Sequence, residues 1–221
     1  MNVILTSDLP LTPNHLVFDR MRTTAARPRI AWIPPFTDSD RKRFAQAHAC
    51  FAAYGFDRLD YCDIDTQFAP RLLARLADYD IVYFAGGDPL IFQRNLQRTG
   101  LAEQVCQYVE QGGLVVAASG GAMQLTQNLS LFRLRNATVD AVLTNYSDYP
   151  ALGIVDYELL PHLNRYQPPF LERVRHYSER IAHDVIGLFD GAALLHTTQH
   201  QYHCSGQALR FRNGVASRLD T

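Results

Sequence analysis

Cysteine is scarce in this sequence, and long apolar runs are missing. The 221 residues include four cysteines without a CxxC pair, and a disulfide framework is unusual in a chain of this length, so we expect buried thiols of a cytosolic protein. No stretch approaches the roughly 18 consecutive apolar residues of a membrane-spanning helix, so no membrane partner is predicted. The chain reaches Asp8 without a basic segment, so we predict no signal peptide.

An excess of charge of either sign is also absent. Lys and Arg together number 21 against 22 for Asp and Glu, a formal net charge of −1. Nucleic-acid-binding proteins usually carry a basic excess, so no nucleic-acid partner is predicted. Hydrophobic residues at 47% and charged residues at 19% are typical of a globular chain. The length favours one α/β domain over residues 1–221.

Short apolar runs alternate with amphipathic segments over most of the chain. The pattern predicts strands at 30–33, 59–64, 81–85 and 114–118, and helices at 41–54, 69–77, 89–97, 101–110 and 170–182. This alternation predicts right-handed βαβ units and a mostly parallel sheet between two helical layers, a three-layer α/β/α architecture. Short runs at 185–189, 192–197, 200–204 and 208–211, separated by turn residues, predict a terminal strand and β-hairpins.

A serine stands between the predicted strand at 114–118 and a helix-compatible stretch. The sequence around Ser119 fits the small-x-Ser-x-Gly pattern of a nucleophile elbow, with Ala117 in the first position and Gly121 in the last. Such an elbow exposes the serine Oγ at a helix N-terminus, where free N–H groups stabilise an oxyanion. The alternative is a glycine-rich loop that binds an anion or only turns the chain.

Two other segments are predicted to reach the same region. Gly87 follows the strand at 81–85, and ligands of open α/β sheets bind beyond the carboxyl ends of the strands. The N–H groups of Gly87 and Gly120 are therefore candidates for an oxyanion hole. His162 follows an apolar run, so we expect it at a strand exit on the same sheet edge, where it could serve Ser119 as a base. The structural alternatives are a tight turn and a histidine without catalytic role.

In their order and spacing, GGDP (86–89), AASGGA (117–122) and PHLN (161–164) resemble peptidase family S51, which includes aspartyl dipeptidase and cyanophycinase. The resemblance runs over roughly residues 28–200. It implies a flavodoxin-like, class I glutamine amidotransferase-like fold and a cytoplasmic serine peptidase without metal or other cofactor. It further implies Ser119 as nucleophile, His162 as general base, and Asp190, in a DG turn, as the acid of the triad.

The sequence departs from that family at two places. Gly120 stands where the family usually has alanine, which we expect to be sterically harmless but to loosen the turn. The carboxylate found in the dipeptidases about fifteen residues after the nucleophile is missing, and Leu134, Arg135 and Asn136 occupy that place. This difference puts Asp-X dipeptide specificity in question more than hydrolysis itself.

Several polar residues have alternative roles. Asp88 and Asn164 are predicted to bind substrate, although Asp88 could instead act as a helix N-terminal carboxylate. Three other acids are alternatives to Asp190 for orienting the histidine: Asp156, Glu158 and Asp184. The H-x3-H-x2-H spacing at the end of the chain could indicate a metal site, but its surroundings favour an exposed polar hairpin; the residues are His196, His200 and His203.

The sequence therefore supports two hypotheses of different kinds. The first is a serine-type peptidase that hydrolyses a small peptide or related amide, with a homodimer as a further expectation that no particular residue supports. The second is a non-catalytic, amidotransferase-like module that binds a ligand or partner. A glutamine amidotransferase itself would require cysteine in place of Ser119.

Overall fold

Two β-sheets organise the chain in the computed structural model, which describes residues 1–9 and 11–219. The strands are β1 (Asn2–Thr6), β2 (Ile30–Ile33), β3 (Leu59–Tyr61), β4 (Ile81–Phe84), β5 (Leu114–Ala118), β6 (Glu158–Leu160), β7 (Val185–Leu188), β8 (Ala193–His196), β9 (Tyr202–Ser205), β10 (Ala208–Arg212) and β11 (Val215–Arg218). The helices are α1 (His15–Arg22), α2 (Lys42–Ala53), α3 (Arg71–Arg75), α4 (Pro89–Thr99), α5 (Leu101–Glu110), α6 (Gly120–Met123), α7 (Ser130–Arg133), α8 (Val139–Thr144) and α9 (Pro168–Ser178).

The larger sheet has seven strands in the order β3-β2-β4-β5-β1-β8-β9. The first five of these are parallel, whereas β8 is antiparallel to β1, and β9 is antiparallel to β8. β5 lies between β4 and β1, with Ala118 paired to Thr6 and Ala117 paired to Phe84. The segments that follow these three strands therefore meet at one edge of the sheet.

Both faces of this sheet are buried, which explains its continuous apolar strands. Successive side chains of a strand point to opposite faces. In β5, Val115 and Ala117 join the core beneath α4 and α5, while Val116 and Ala118 join the core beneath α1 and α2. The result is the three-layer α/β/α architecture with a mostly parallel sheet that the sequence predicts.

The second sheet has four strands in the order β11-β10-β7-β6. β6 and β7 are parallel, whereas β10 pairs antiparallel with both β7 and β11. The prediction of a terminal strand and hairpins was therefore incomplete. β8 and β9 join the larger sheet, while β7 and β10 form a separate sheet with a strand from the middle of the chain.

The predicted strands and helices of the first 120 residues agree with the structure within a few residues. The sequence pattern does not predict β1, α1, α7, α8 and β11. Helices α7 and α8 have four and six residues, and such short helices do not complete enough turns for an apolar period to emerge.

The sequence led to expectations about the state of the cysteine thiols and about membrane-spanning helices. All four thiols are free, with Cys62 and Cys204 buried and Cys50 and Cys106 half-buried. Across residues 1–9 and 11–219, no helix combines the length and apolar character that crossing a membrane requires.

The three histidines of the H-x3-H-x2-H segment have separate partners. His196 on β8 is buried, with Nε2 2.7 Å from the hydroxyl oxygen of Tyr157. His200 pairs with Asp156 at 2.7 Å, and His203 is exposed on β9. In the part of the chain that the structure describes, these histidines do not converge on a common point where a metal could bind.

His196 is expected to make stability depend on pH. Burial lowers the pKa of His196 to about 4, against the opposing effects of the Thr198 carbonyl and Asp156, whereas an imidazole in an unfolded chain has a pKa of about 6.5. The native state binds this proton less well than the unfolded state. The free energy of unfolding should therefore be insensitive to His196 above about pH 6.5 and fall by about 3 kcal/mol as the pH decreases to about 4.

A series of urea denaturations across that pH range measures this effect. The His196→Gln variant should show a flatter dependence than the native chain between about pH 6.5 and 4. His203→Gln, an exposed histidine on the facing strand, is the matched control and should retain the native slope. An unchanged slope in His196→Gln would show that this group does not titrate as inferred.

Candidate active site

Ser119 lies in a sharp turn between β5 and the four-residue helix α6. Its φ of 52° and ψ of −121° are in a region that residues with a side chain rarely adopt. The Ser119 N–H donates to the Thr6 carbonyl oxygen at 3.0 Å, and the Ser119 carbonyl oxygen accepts from the Met123 N–H at 3.1 Å. The turn is thus held between β1 and α6, and its strain is typical of a nucleophile elbow.

The two glycines after Ser119 allow a close backbone approach. A Cβ on Gly120 would lie 2.0 Å from the Gly87 carbonyl oxygen, and one on Gly121 would lie 2.6 Å from the carbonyl oxygens of Phe84 and Ala85. A backbone oxygen cannot swing aside as a flexible side chain can. Gly120 therefore packs the elbow directly against the loop after β4, whereas the sequence suggested only a looser turn.

His162 and Asp190 reach Ser119 from the second sheet. They follow β6 and β7, which are parallel neighbours. The His162 Nε2 is 2.9 Å from the Ser119 Oγ, and its Nδ1 is 2.8 Å from the Asp190 Oδ1. The predicted strand exit of His162 is present, but the expectation that it shares a sheet with Ser119 was wrong. The three residues nevertheless form one continuous hydrogen-bonded chain.

The Asp190 carboxylate is held ionised by its neighbours. Its Oδ2 accepts from the Arg165 Nε at 2.7 Å and from the Asn164 Nδ2 at 3.1 Å. Burial alone would raise the pKa of Asp190, but the hydrogen bonds from Arg165, His162 and Asn164 outweigh it and lower the pKa to about 2. An anion in this place can orient the imidazole and stabilise its protonated form.

Two residues after β1, Ser7 and Asp8, also lie at the site and were not predicted from the sequence. The Ser7 Oγ accepts from the His162 backbone N–H at 2.8 Å and lies 3.4 Å from the Asp190 Oδ1. The Asp8 Oδ2 lies 3.5 Å from the Arg165 Nη2. The signal that could have found them is two polar residues directly after an apolar run, where a parallel strand ends at the ligand-binding edge.

Gly87 and Gly120 border the same cavity as Ser119. Within residues 1–9 and 11–219, neither N–H has an acceptor. Both predicted donors are therefore free to bind a substrate carbonyl oxygen.

The two predicted substrate-binding residues use their side chains within the protein. The Asp88 Oδ1 accepts from the N–H groups of Leu90 at 2.8 Å and Ile91 at 3.1 Å, so it caps the N-terminus of α4. This contact corresponds to the alternative role that the sequence left open for Asp88. Asn164 donates to the Asp190 carboxylate and accepts from the Asp190 backbone N–H at 2.8 Å, so it holds the Asp190 carboxylate in place.

The other candidate acids contact other groups. Asp156 pairs with His200, Asp184 pairs with Arg212, and the fully buried Glu158 accepts from Tyr146, Tyr177 and His183. Leu134, one of the three residues at the place where the resemblance implies a dipeptidase carboxylate, is buried in the core beside the second sheet. Among the described residues, Asp190 is the carboxylate within hydrogen-bond distance of His162.

Two small cavities meet at Ser119. The first, of about 170 Å³, is lined by apolar residues that include Met123, Leu131 and Phe170, together with the exposed Arg135. The second, of about 260 Å³, is lined by apolar residues such as Leu9 and Trp32 and by the charged side chains of Asp8, Arg43 and Arg165. A substrate bound across Ser119 would thus meet a different set of charged groups on each side.

One group of potential metal ligands converges in the described part of the chain. Asp8, His162 and Asp190 have ligand atoms within 4.8 Å of one another. Both imidazole nitrogens of His162 already contact Ser119 and Asp190. His162 and Asp190 are thus committed to the hydrogen-bonded chain with Ser119.

Comparison with known proteins places this site in a family. The model of peptidase family S51 matches residues 6–203. An uncharacterized peptidase of Listeria monocytogenes is 31% identical over 110 residues, which are 50% of this chain and 52% of that protein. Peptidase E of Streptomyces coelicolor is 30% identical over 129 residues, which are 55% of this chain and 51% of that protein. The chain thus spans about half the length of these curated relatives.

A solved structure has the same fold. The crystal structure of a peptidase from an acI-B1 Actinobacterium matches with a TM-score of 0.71 at 18% identity, covering 99% of this chain and 93% of that one. At this identity the likeness concerns the fold alone. The family match covers most of the chain and includes Ser119, His162 and Asp190, and the chain therefore belongs to peptidase family S51.

Proposed function

We propose that this protein is a serine peptidase that hydrolyses short peptides or related amides. The observation that carries the proposal is the chain of contacts from the Ser119 Oγ to His162 at 2.9 Å and from His162 to Asp190 at 2.8 Å. Membership of peptidase family S51 and similarity to a protein named Peptidase E support the same reaction class.

The residues suggest the following sequence of steps. His162 takes the proton from the Ser119 Oγ as that oxygen attacks the amide carbonyl, and the N–H groups of Gly87 and Gly120 stabilise the tetrahedral oxyanion. His162 then delivers the proton to the leaving amine, and Asp190 stabilises the imidazolium. The same base activates the water that releases the acyl group from Ser119.

The cavities support a substrate of about two residues. The two cavities meet at Ser119, and their volumes of about 170 and 260 Å³ together lie near the lower end of the roughly 300–1,000 Å³ typical of small-molecule pockets. Arg135 borders the first cavity and has no carboxylate partner among the described residues. We therefore infer a dipeptide-sized substrate with an acidic group beside Arg135.

Labelling with a fluorophosphonate probe tests the reaction class, because the probe needs an activated Ser–His pair and an oxyanion hole but no particular substrate. We expect one label, located at Ser119 by mass spectrometry, and no label in His162→Ala. His203→Ala, which changes an exposed histidine outside the site, should be labelled at the native rate. A folded native chain without label would overturn the peptidase proposal and favour the ligand-binding module.

A second arm of the experiment addresses the substrate. Asp-Leu and Asn-Leu differ in one charge at nearly constant shape, so the ratio of their kcat/KM values measures the preference for an acidic residue. We expect a preference for Asp-Leu that Arg135→Gln removes. Equal rates for both dipeptides in a labelled protein would refute the acidic substrate and leave the serine mechanism intact.

A further inference from the structure

We propose that Arg43 is a positioning residue that holds the oxyanion hole in its active arrangement, an inference that rests on the proposed function. Arg43 lies in the first turn of α2. Its Nη2 donates to the Gly86 carbonyl oxygen at 2.6 Å. The next N–H along the chain is that of Gly87, one of the two candidate donors to the oxyanion.

This hydrogen bond determines the orientation of the peptide group between Gly86 and Gly87. A peptide group is planar and almost always trans, so its carbonyl oxygen and its N–H point in opposite directions. Arg43 and Gly86 both border the second cavity, whereas Gly87 and Gly120 border the first. The Arg43 guanidinium holds the Gly86 carbonyl oxygen on the side of the second cavity. The Gly87 N–H is therefore directed towards the first cavity.

Glycine makes this support necessary. Gly87 has a φ of 146°, and a Cβ there would lie 2.6 Å from the Pro35 Cγ, so no other residue fits without displacement. Two consecutive glycines also leave the backbone more conformational freedom than any other pair. A flip of the peptide between them would turn a carbonyl oxygen towards the negative charge that develops in the reaction. The bond to Arg43 opposes that flip.

The surroundings of Arg43 leave its charge available for this contact. Among the described residues, Arg43 has no carboxylate partner, and its Nη1 is enclosed without a hydrogen-bond partner. The guanidinium carbon lies 5.1 Å from the centroid of the Phe36 ring. An unpaired cation next to the Gly86 carbonyl polarises the peptide and strengthens the Gly87 N–H as a donor. An arginine with only a structural role would gain no stability from burying a guanidinium nitrogen that has no hydrogen-bond partner.

Variants of Arg43 test the inference through labelling rate and steady-state kinetics. Arg43→Ala should lower kcat and the fluorophosphonate labelling rate by about 10- to 100-fold, less than the roughly 10²–10³ expected when an oxyanion donor is removed outright. KM should stay within about twofold of the native value, because the contact acts in the transition state rather than on bound substrate. Arg43→Lys should recover part of the rate, since an ammonium can still donate to a carbonyl.

The matched control is Lys42→Ala, which removes a cation from the neighbouring residue, whose side chain is 84% exposed. It should keep the native kcat and labelling rate. If Arg43→Ala fails to fold, the intermediate kcat of a folded Arg43→Lys protein carries the test.

Two results would overturn the inference. One is a native kcat in Arg43→Ala, with or without a raised KM. The other is a shift of the acid limb of the pH profile, which would assign the effect to the Ser119–His162 pair. Absence of label on the native chain would instead refute the proposed function, and this inference with it. A labelled native chain whose Arg43 variants react equally fast would refute this inference alone.

Discussion

Replacing Ser119 with alanine should lower kcat for a dipeptide by about 10⁶-fold, the loss seen when a serine nucleophile is deleted. The substitution removes the attacking oxygen, and among the residues that the structure describes no neighbouring hydroxyl is placed to substitute for it. The nearby Ser7 is fully buried, and its Oγ already accepts from the His162 N–H. Steady-state hydrolysis, with thermal unfolding measured in parallel, determines the effect.

The loss should be catalytic rather than structural. The Ser119 Oγ has His162 as its one side-chain hydrogen-bond partner among the described residues, so the midpoint of thermal unfolding should change little. Ser217→Ala, on the exposed face of β11, is the matched control and should retain native activity. A Ser119→Ala protein with more than about one-thousandth of the native kcat would contradict its assignment as nucleophile.

Replacing Asp190 with asparagine should lower kcat by about 10⁴-fold with little change in KM. The carboxylate accepts from the His162 Nδ1 and so keeps the Nε2 free to take the serine proton. An asparagine amide can instead donate to Nδ1, which favours the tautomer that carries its proton on Nε2. Because the pKa of Asp190 is lowered to about 2, the native carboxylate remains charged throughout the range in which imidazoles ordinarily titrate. The pH profile of native kcat should accordingly show no contribution from Asp190 above about pH 4.

Asp184→Asn provides a closely matched control. The Asp184 and Asp190 side chains are each 20% exposed, and each pairs with an arginine, at 2.8 and 2.7 Å. Loss of the Asp184 carboxylate should leave kcat unchanged, because that group lies outside the site. If Asp190→Asn retained more than about a tenth of the native kcat, another group would have to orient His162.

The features of this protein that the sequence predicts best depend on residues that lie close together along the chain. The apolar run of β5 followed by Ser119 and two glycines indicates a strand, a turn and a helix within about ten residues. The parallel sheet follows from the repeated alternation of such units, since short connections between packed elements allow few topologies. The resemblance to peptidase family S51 predicts Ser119, His162 and Asp190 as a triad, and the structure brings these three side chains into one hydrogen-bonded chain, with the histidine on a different sheet from the one expected.

Other features arise only when distant segments pack together. β6 and β7 form a second sheet, so His162 and Asp190 approach Ser119 from outside the sheet that bears the nucleophile. The pairing of β1 beside β5 brings Ser7 to His162, across 155 residues of chain. These contacts depend on strand register and on long-range side-chain hydrogen bonds, which leave no periodic signal in the sequence.

The sequence by itself determined the elbow and the α/β architecture, because apolar periodicity and the space that glycine leaves are local properties. The tertiary structure decided which groups support the reacting atoms. Asn164 binds Asp190, Asp88 caps α4, and Arg43 reaches the Gly86 carbonyl from a helix 43 residues away. A side-chain hydrogen bond between distant segments exists only once packing has brought donor and acceptor within about 3 Å of each other.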